Sequence, residues 1–207
     1  EQAGYPNKFD PNNIGDKDVI YIGATTSRDV PKIMAIASQG SSLYIYEISP
    51  EMIQGKKGTI CSGYWELTPE TGLVEGKLPV ATSAYFDRMF YYAVGNKIYR
   101  ADLTRSTPRS YEIYAHPDPS VRITRLKFRS QREDRWDISG GDEVEAIPYD
   151  FVSYLGGVAE YPDGNCSMLE MKLTAAGEID KEEGTKDLMV YEFKGFKNVV
   201  DFVYAFK

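Results

Sequence analysis

The sequence is nearly empty of the residues that carry most enzymatic and metal chemistry. It has one His, His116, and two Cys, Cys61 and Cys166, in 207 residues. A single His excludes His-rich zinc sites and allows a Ser-His-Asp triad only around that one residue. The cysteines have no CxxC spacing and no His nearby, so they read as two small buried hydrophobes. A disulfide between them is the alternative, although they fall in non-equivalent strands of the repeat described below. No apolar run is long enough to span a bilayer. Basic residues are not in excess: the net charge is −7, which argues against a binder of nucleic-acid phosphates. A phosphate-cradling loop is also lacking, because Gly140-Gly141 and Gly156-Gly157 are isolated pairs outside any nucleotide-loop spacing. No cofactor, metal site or catalytic residue is assigned. The opening Glu1-Gln2-Ala3-Gly4-Tyr5 has neither a basic start nor an apolar core, so it reads as the start of a mature or trimmed chain.

What is abundant is tyrosine, at 16 residues, within an aromatic share of 13%. Such residues suit pleated, half-buried surfaces, so the composition leans to β structure. The order of the chain sharpens this. Leu43-Tyr44-Ile45-Tyr46-Glu47-Ile48, Ile98-Tyr99-Arg100-Ala101-Asp102-Leu103 and Met168-Leu169-Glu170-Met171-Lys172-Leu173 are three copies of one pattern. Each follows an apolar run and a Gly or Asn turn: Gln39-Gly40-Ser41, Gly95-Asn96 and Pro162-Asp163-Gly164-Asn165. A run, a turn and a second run make a β-hairpin. A second pattern repeats in step, an aromatic-Glu-apolar tripeptide: Trp65-Glu66-Leu67, Tyr111-Glu112-Ile113 and Tyr191-Glu192-Phe193. Glu66, Glu112 and Glu192 therefore recur because the fold recurs, at structural or solvent-facing positions of an outer strand. Nothing singles out a glycosidase pair among the carboxylates.

Strand, hairpin and strand, repeated, predict four-stranded antiparallel blades of a β-propeller-like, all-β fold. Residues 1–17 form an irregular lead-in whose Asp10, Asn12, Asn13, Asp16 and Asp18 read as a solvated turn, since Ile14 stands where a calcium loop needs an oxygen. The β domain covers 18–207, with units at about 18–68, 78–115 and 121–194 and a final strand at 199–206. Residues 18–26, 78–86, 121–128 and 199–206 are the expected inner strands, and Arg125 and Lys127 are out of place in one. Three units and a lone strand make an incomplete ring, since a ring needs about four blades. A missing N-terminal half or a second copy of the chain would complete it. The alternative architecture is an irregular β-sandwich, which needs no closure.

Residues 129–150 break the rhythm with mixed charges and one Trp. Trp136, flanked by Asp134, Arg135 and Asp137, is the candidate ligand site: a sugar stacks its apolar face on an aromatic ring and pairs its hydroxyls with carboxylate and guanidinium groups. The plain alternative is that Trp136 anchors the loop by burial. Trp65 is weaker, since Tyr111 and Tyr191 take its place in the other units.

Asp18-Val19-Ile20-Tyr21-Ile22-Gly23, Ser42-Leu43-Tyr44-Ile45-Tyr46, Ile123-Thr124-Arg125-Leu126-Lys127-Phe128 and Gly164-Asn165-Cys166-Ser167-Met168-Leu169-Glu170-Met171 resemble the C-terminal half of the PKD-like lipoproteins of gut Bacteroidetes. The resemblance covers most of 18–206 through short strand motifs. It implies a cell-surface or outer-membrane lipoprotein with an Ig-like region before a propeller-like one, near polysaccharide uptake, hence glycan binding. This sequence shows neither the lipidated N-terminal Cys nor the Ig-like region, so membrane attachment would be only through a lipid anchor outside the chain. The expected function is a non-catalytic surface module binding glycan or a partner protein. The alternative is a propeller-type polysaccharide hydrolase or lyase, which would need carboxylates or His116 clustered in a central channel.

Overall fold

A computed structural model describes residues 17–25, 32–39, 42–48, 61–67, 81–86, 89–103, 105, 108–133 and 150–204. Among them the chain is all-β, with twelve strands and no helix. The strands form three four-stranded antiparallel meanders, and no sheet closes into a barrel. Sheet I holds β1 (Asp18–Thr25), β2 (Lys32–Gln39), β3 (Ser42–Ile48) and β4 (Cys61–Leu67). Sheet II holds β5 (Ala81–Phe86), β6 (Met89–Val94), β7 (Lys97–Asp102) and β8 (Ser110–Ala115). Sheet III holds β9 (Arg122–Glu133), β10 (Asp150–Glu160), β11 (Asn165–Leu173) and β12 (Val190–Lys197). The two repeated sequence patterns thus become the middle hairpin and the fourth strand of each sheet.

Sheet II is the middle layer, and β6 shows why. Its run Phe90-Tyr91-Tyr92-Ala93 is buried throughout. Alternation along a strand sends successive side chains to opposite faces. Phe90 and Tyr92 join Ile36, Leu43, Ile45 and Leu67 of sheet I in one apolar cluster. Tyr91 and Ala93 join Leu126, Leu155, Leu169 and Met171 of sheet III in another. A strand buried on both faces must be apolar in consecutive positions, and this one is. The first strands are neighbours, with β1 against β5 and β5 against β9.

A bulge recurs in each first strand. The ladder skips Ile20 between β1 and β2, Ser83 between β5 and β6, and Thr124 between β9 and β10. The fourth strands skip one residue too: Ser62, Ile113 and Gly195. A bulge adds twist and re-aims side chains, so the repeat lies in backbone geometry as well as in composition.

Turns match their residues. Gly95-Asn96 joins Val94 to its ladder partner Lys97 in a two-residue loop, and Gly95 has φ 59°. A positive φ at the first loop position is the type II′ hairpin requirement, which Gly meets without strain. The turn also steers the chain onward: Asn96 O accepts from His116 N at 2.8 Å and Gly95 O from Ile123 N at 2.8 Å.

Two expectations need amendment. Residues 199–204 are not a strand: they run beyond β12 without joining a ladder. They lie instead over sheet III, where Phe202 and Tyr204 pack over Gly156 of β10. Arg125 and Lys127, out of place in an inner strand, face this segment. Lys127 pairs with Asp201 at 2.8 Å and lies 5.4 Å from the Phe202 ring centroid, while Arg125 helps keep the Asp201 carboxyl low. Cys166 is a free, buried thiol, in line with its reading as a small buried hydrophobe rather than a disulfide partner of Cys61.

Candidate functional site

Trp136, Asp134, Arg135 and Asp137 lie outside the described residues. The recurring glutamates are described, and they take unequal roles. Glu66 accepts from Tyr44 Oη at 3.2 Å and Glu112 from Lys97 Nζ at 2.7 Å, both on exposed strand surface. Glu192 sits at a junction of sheets II and III. Its Oε1 accepts from Ser167 Oγ at 2.6 Å and from Tyr161 Oη at 2.8 Å.

His116 is buried beside this carboxylate. Its Nδ1 accepts from Asp118 N at 3.1 Å, and its Nε2 lies 3.6 Å from Glu192 Oε1. That separation is longer than a hydrogen bond. Tyr114 and Tyr161 set ring edges against the imidazole at 6.4 and 5.9 Å. Burial alone would raise the Glu192 carboxyl, but the Ser167 and Tyr161 hydroxyls, with Lys194 and His116, hold it below its ordinary value. Burial, then the charge of Glu192, pushes the Tyr114 phenol up to about 12. The order of groups matters chemically. A nucleophilic serine gives its proton to histidine, and the carboxylate stands behind the histidine. Here Ser167 donates to the carboxylate itself, so the cluster knits β10, β11 and β12 to the loop after β8.

The face of sheet III turned away from sheet II is different in kind. Ladder registry places Tyr154, Gly156 and Val158 of β10 beside Lys172, Glu170 and Met168 of β11 in turn. It then places Glu170 beside Tyr191, Met168 beside Phe193 and Cys166 beside Phe196. Simple alternation would put Phe196 on the opposite face from Phe193. The bulge at Gly195, where φ is 105°, returns it to the same face. The result is an aromatic row along β12, with Tyr191 44%, Phe193 53% and Phe196 43% exposed. Three rings at about half exposure present on the order of 300 Å² of aromatic surface, the scale of a functional patch on a soluble protein.

Residues 199–204 form the opposite rim. Asn198, at φ 51°, turns the chain back from β12 across the sheet, and Val200 and Val203 are 75% and 80% exposed. Between the rims run charged pairs. Arg129 lies 3.4 Å from Glu170 and stacks its guanidinium over Tyr154 at 4.6 Å and Tyr204 at 5.0 Å. Arg129 Nε and Tyr204 Oη are buried without a hydrogen-bond partner among the described residues. Burial moves the Tyr204 phenol well above its ordinary value.

Sequence reasoning missed this row, although its signal was in hand. The tripeptide Tyr191-Glu192-Phe193 was recognised as a repeat of Trp65-Glu66-Leu67. What the motif does not carry is any sign that, among the described residues, no sheet packs over the third copy. Leu67 and Trp65 lie in the cluster between sheets I and II, and Ile113 packs into the one between sheets II and III, although Tyr111 beside it is exposed. Phe193 holds the same place and stays half exposed. Comparison of the chain with known protein families, with curated proteins and with solved structures finds no match.

Proposed function

We propose that the chain is a non-catalytic binding module which engages a partner protein through the outward face of sheet III. One observation carries the reading: the apolar residue that closes the aromatic-Glu-apolar motif is covered in sheets I and II and exposed in sheet III. Large exposed apolar patches rimmed by polar residues mark interaction sites. In the same reading the three sheets are consecutive blades of a propeller-like array, left open at sheets I and III. The neighbouring first strands and their shared bulge support this. The resemblance to surface lipoproteins supports a place at the cell surface.

The test is site-specific photo-cross-linking in the cell that makes the protein. A photoreactive phenylalanine analogue replaces Phe193 in one variant and the exposed Glu183, on a turn away from the row, in another. The reading expects a discrete polypeptide adduct from position 193 alone, suppressed by excess wild-type protein but not by excess Phe193→Asp protein. Equal adducts at both positions, or no adduct at 193, refute it.

A further inference from the structure

The segment at residues 199–204 has the position of a first strand without the partners of one. In each sheet the first strand is paired along one edge by the second strand, and it nests against the first strand of the neighbouring sheet. Residues 199–204 nest on sheet III in this way. Lys127 and Arg129, alternate residues of β9, meet Asp201, Phe202 and Tyr204. Yet no strand pairs with the segment among the described residues. Its exposed Val200 and Val203 contrast with the buried Val121, Ile123 and Leu126 at the start of sheet III.

Beside the segment, no strand among the described residues packs on the outward face of sheet III. Sheet I is covered on its second side by Phe90 and Tyr92 of β6, whose strand pairs with β5. The corresponding surface of sheet III is the groove between residues 199–204 and the aromatic row of β12. It offers, on one rim, a backbone stretch that joins no ladder among the described residues and, on the other, the β12 rings, with Met168 and the Arg129–Glu170 pair between them. A glycan or a lipid would satisfy the rings and leave the edge unpaired. An extended polypeptide satisfies both, by the strand addition through which exposed sheet edges capture peptides.

We propose that residues 199–204 are the first strand of a fourth antiparallel sheet, and that the groove beside them takes a β-hairpin of a partner polypeptide with apolar residues alternating along its strands. The hairpin's first strand pairs with 199–204, and its apolar face covers Met168 and the β12 aromatic row. This rests on the reading of that face as the binding surface and adds the form of the partner.

The chain itself supplies a probe. The β6–β7 hairpin pairs with a first strand and covers the sheet behind it, so a fluorescent peptide of residues 89–102 carries both features. Its binding is read by anisotropy against the full chain, against Phe193→Asp and against Gly156→Val. A side chain at Gly156 collides with the Tyr204 hydroxyl and stands 2.9 Å from Phe202 Cε2 at its Cβ, so this variant unseats the segment. The expected result is saturable binding to the wild type, at least tenfold weaker to each variant. Hydrogen exchange should also slow at residues 200–204 when the peptide is bound. Binding no tighter than that of a scrambled peptide, or unchanged by Phe193→Asp, overturns the proposal. Should Gly156→Val not fold, Phe193→Asp decides alone, because its site is exposed. Failure of the hairpin with cross-linking at 193 retained removes strand addition only, whereas loss of both removes the binding face itself.

Discussion

The Tyr91 hydroxyl lets the packing of two sheets be tested at one atom pair. Tyr91 is buried on the face of β6 toward sheet III, and its hydroxyl donates to Gly177 O at 2.6 Å. Gly177 lies in the connection between β11 and β12, where its N donates back to Thr174 O at 2.9 Å. Arg100 also reaches this turn, donating to Ala176 O and standing 3.8 Å from Glu178. Sheet II thus holds a loop of sheet III. Tyr91→Phe removes the donor and strands a buried carbonyl, a cost of about 1.5–2 kcal/mol. Gly177→Ala faces two penalties. Its φ of 77° strains any L side chain, by about 1–2 kcal/mol. Its new Cβ would also lie 2.6 Å from the Tyr91 hydroxyl and force that bond apart. The single substitution should then cost about 2.5–4 kcal/mol, the strain together with the lost bond. In the double variant the hydroxyl is already gone and the next neighbour, Met89 Cγ, is at 3.4 Å. The double should cost no more than Gly177→Ala alone, a non-additivity of about 1.5–2 kcal/mol. Urea unfolding of the four proteins measures this. Additive costs would show that the hydroxyl and the turn do not meet, and that the loop is held some other way.

Leu67→Ala should cost about 2–4 kcal/mol while Phe193→Ala costs less than about 1, although the two occupy the same place in the repeat, because only Leu67 is buried; equal costs in urea unfolding would mean that sheet III is covered after all. The Glu192 carboxyl is held below its ordinary value, so its stabilising effect is present above the unfolded value of 4.5 and is lost as pH falls through the folded one. Glu192→Gln should therefore lower the unfolding midpoint at neutral pH and converge on the wild type in acid, and a gap that persists in acid would assign the effect to packing. The Tyr114 phenol is raised from 10.0 to about 12, so its contribution is whole below pH 10 and is lost as pH rises toward 12. Tyr114→Phe should flatten the fall of the melting temperature across that window, and an unchanged slope would place the alkaline loss elsewhere. Gly95→Ala should cost about 1 kcal/mol from its positive φ alone, since open space surrounds the added methyl.

The sequence by itself determined the local pattern of this protein. Alternating apolar residues, Gly-Asn and Asp-Gly turns and the thrice-repeated aromatic-Glu-apolar motif are short-range signals, and they specify strands, hairpins and their antiparallel order. The apolar run from Phe90 to Ala93 is visible in the sequence as well, and its burial on both faces is what the stacking of sheets I and III on sheet II adds. Other features depend on what lies opposite each face, which no local pattern states. Phe193 and Leu67 look alike in sequence, but Leu67 packs between sheets I and II and is buried, whereas no sheet among the described residues lies over β12 and Phe193 is half exposed. Phe196 shares the face of Phe193 because a single left-handed Gly195 shifts the register, a backbone event that composition does not encode. Arg125 and Lys127 are out of place in an inner strand by sequence, and residues 199–204 supply the Asp201 carboxylate and the Phe202 ring that meet them. Those residues alternate as a strand should, yet pairing needs a neighbour's edge, and among the described residues no strand lies beside them.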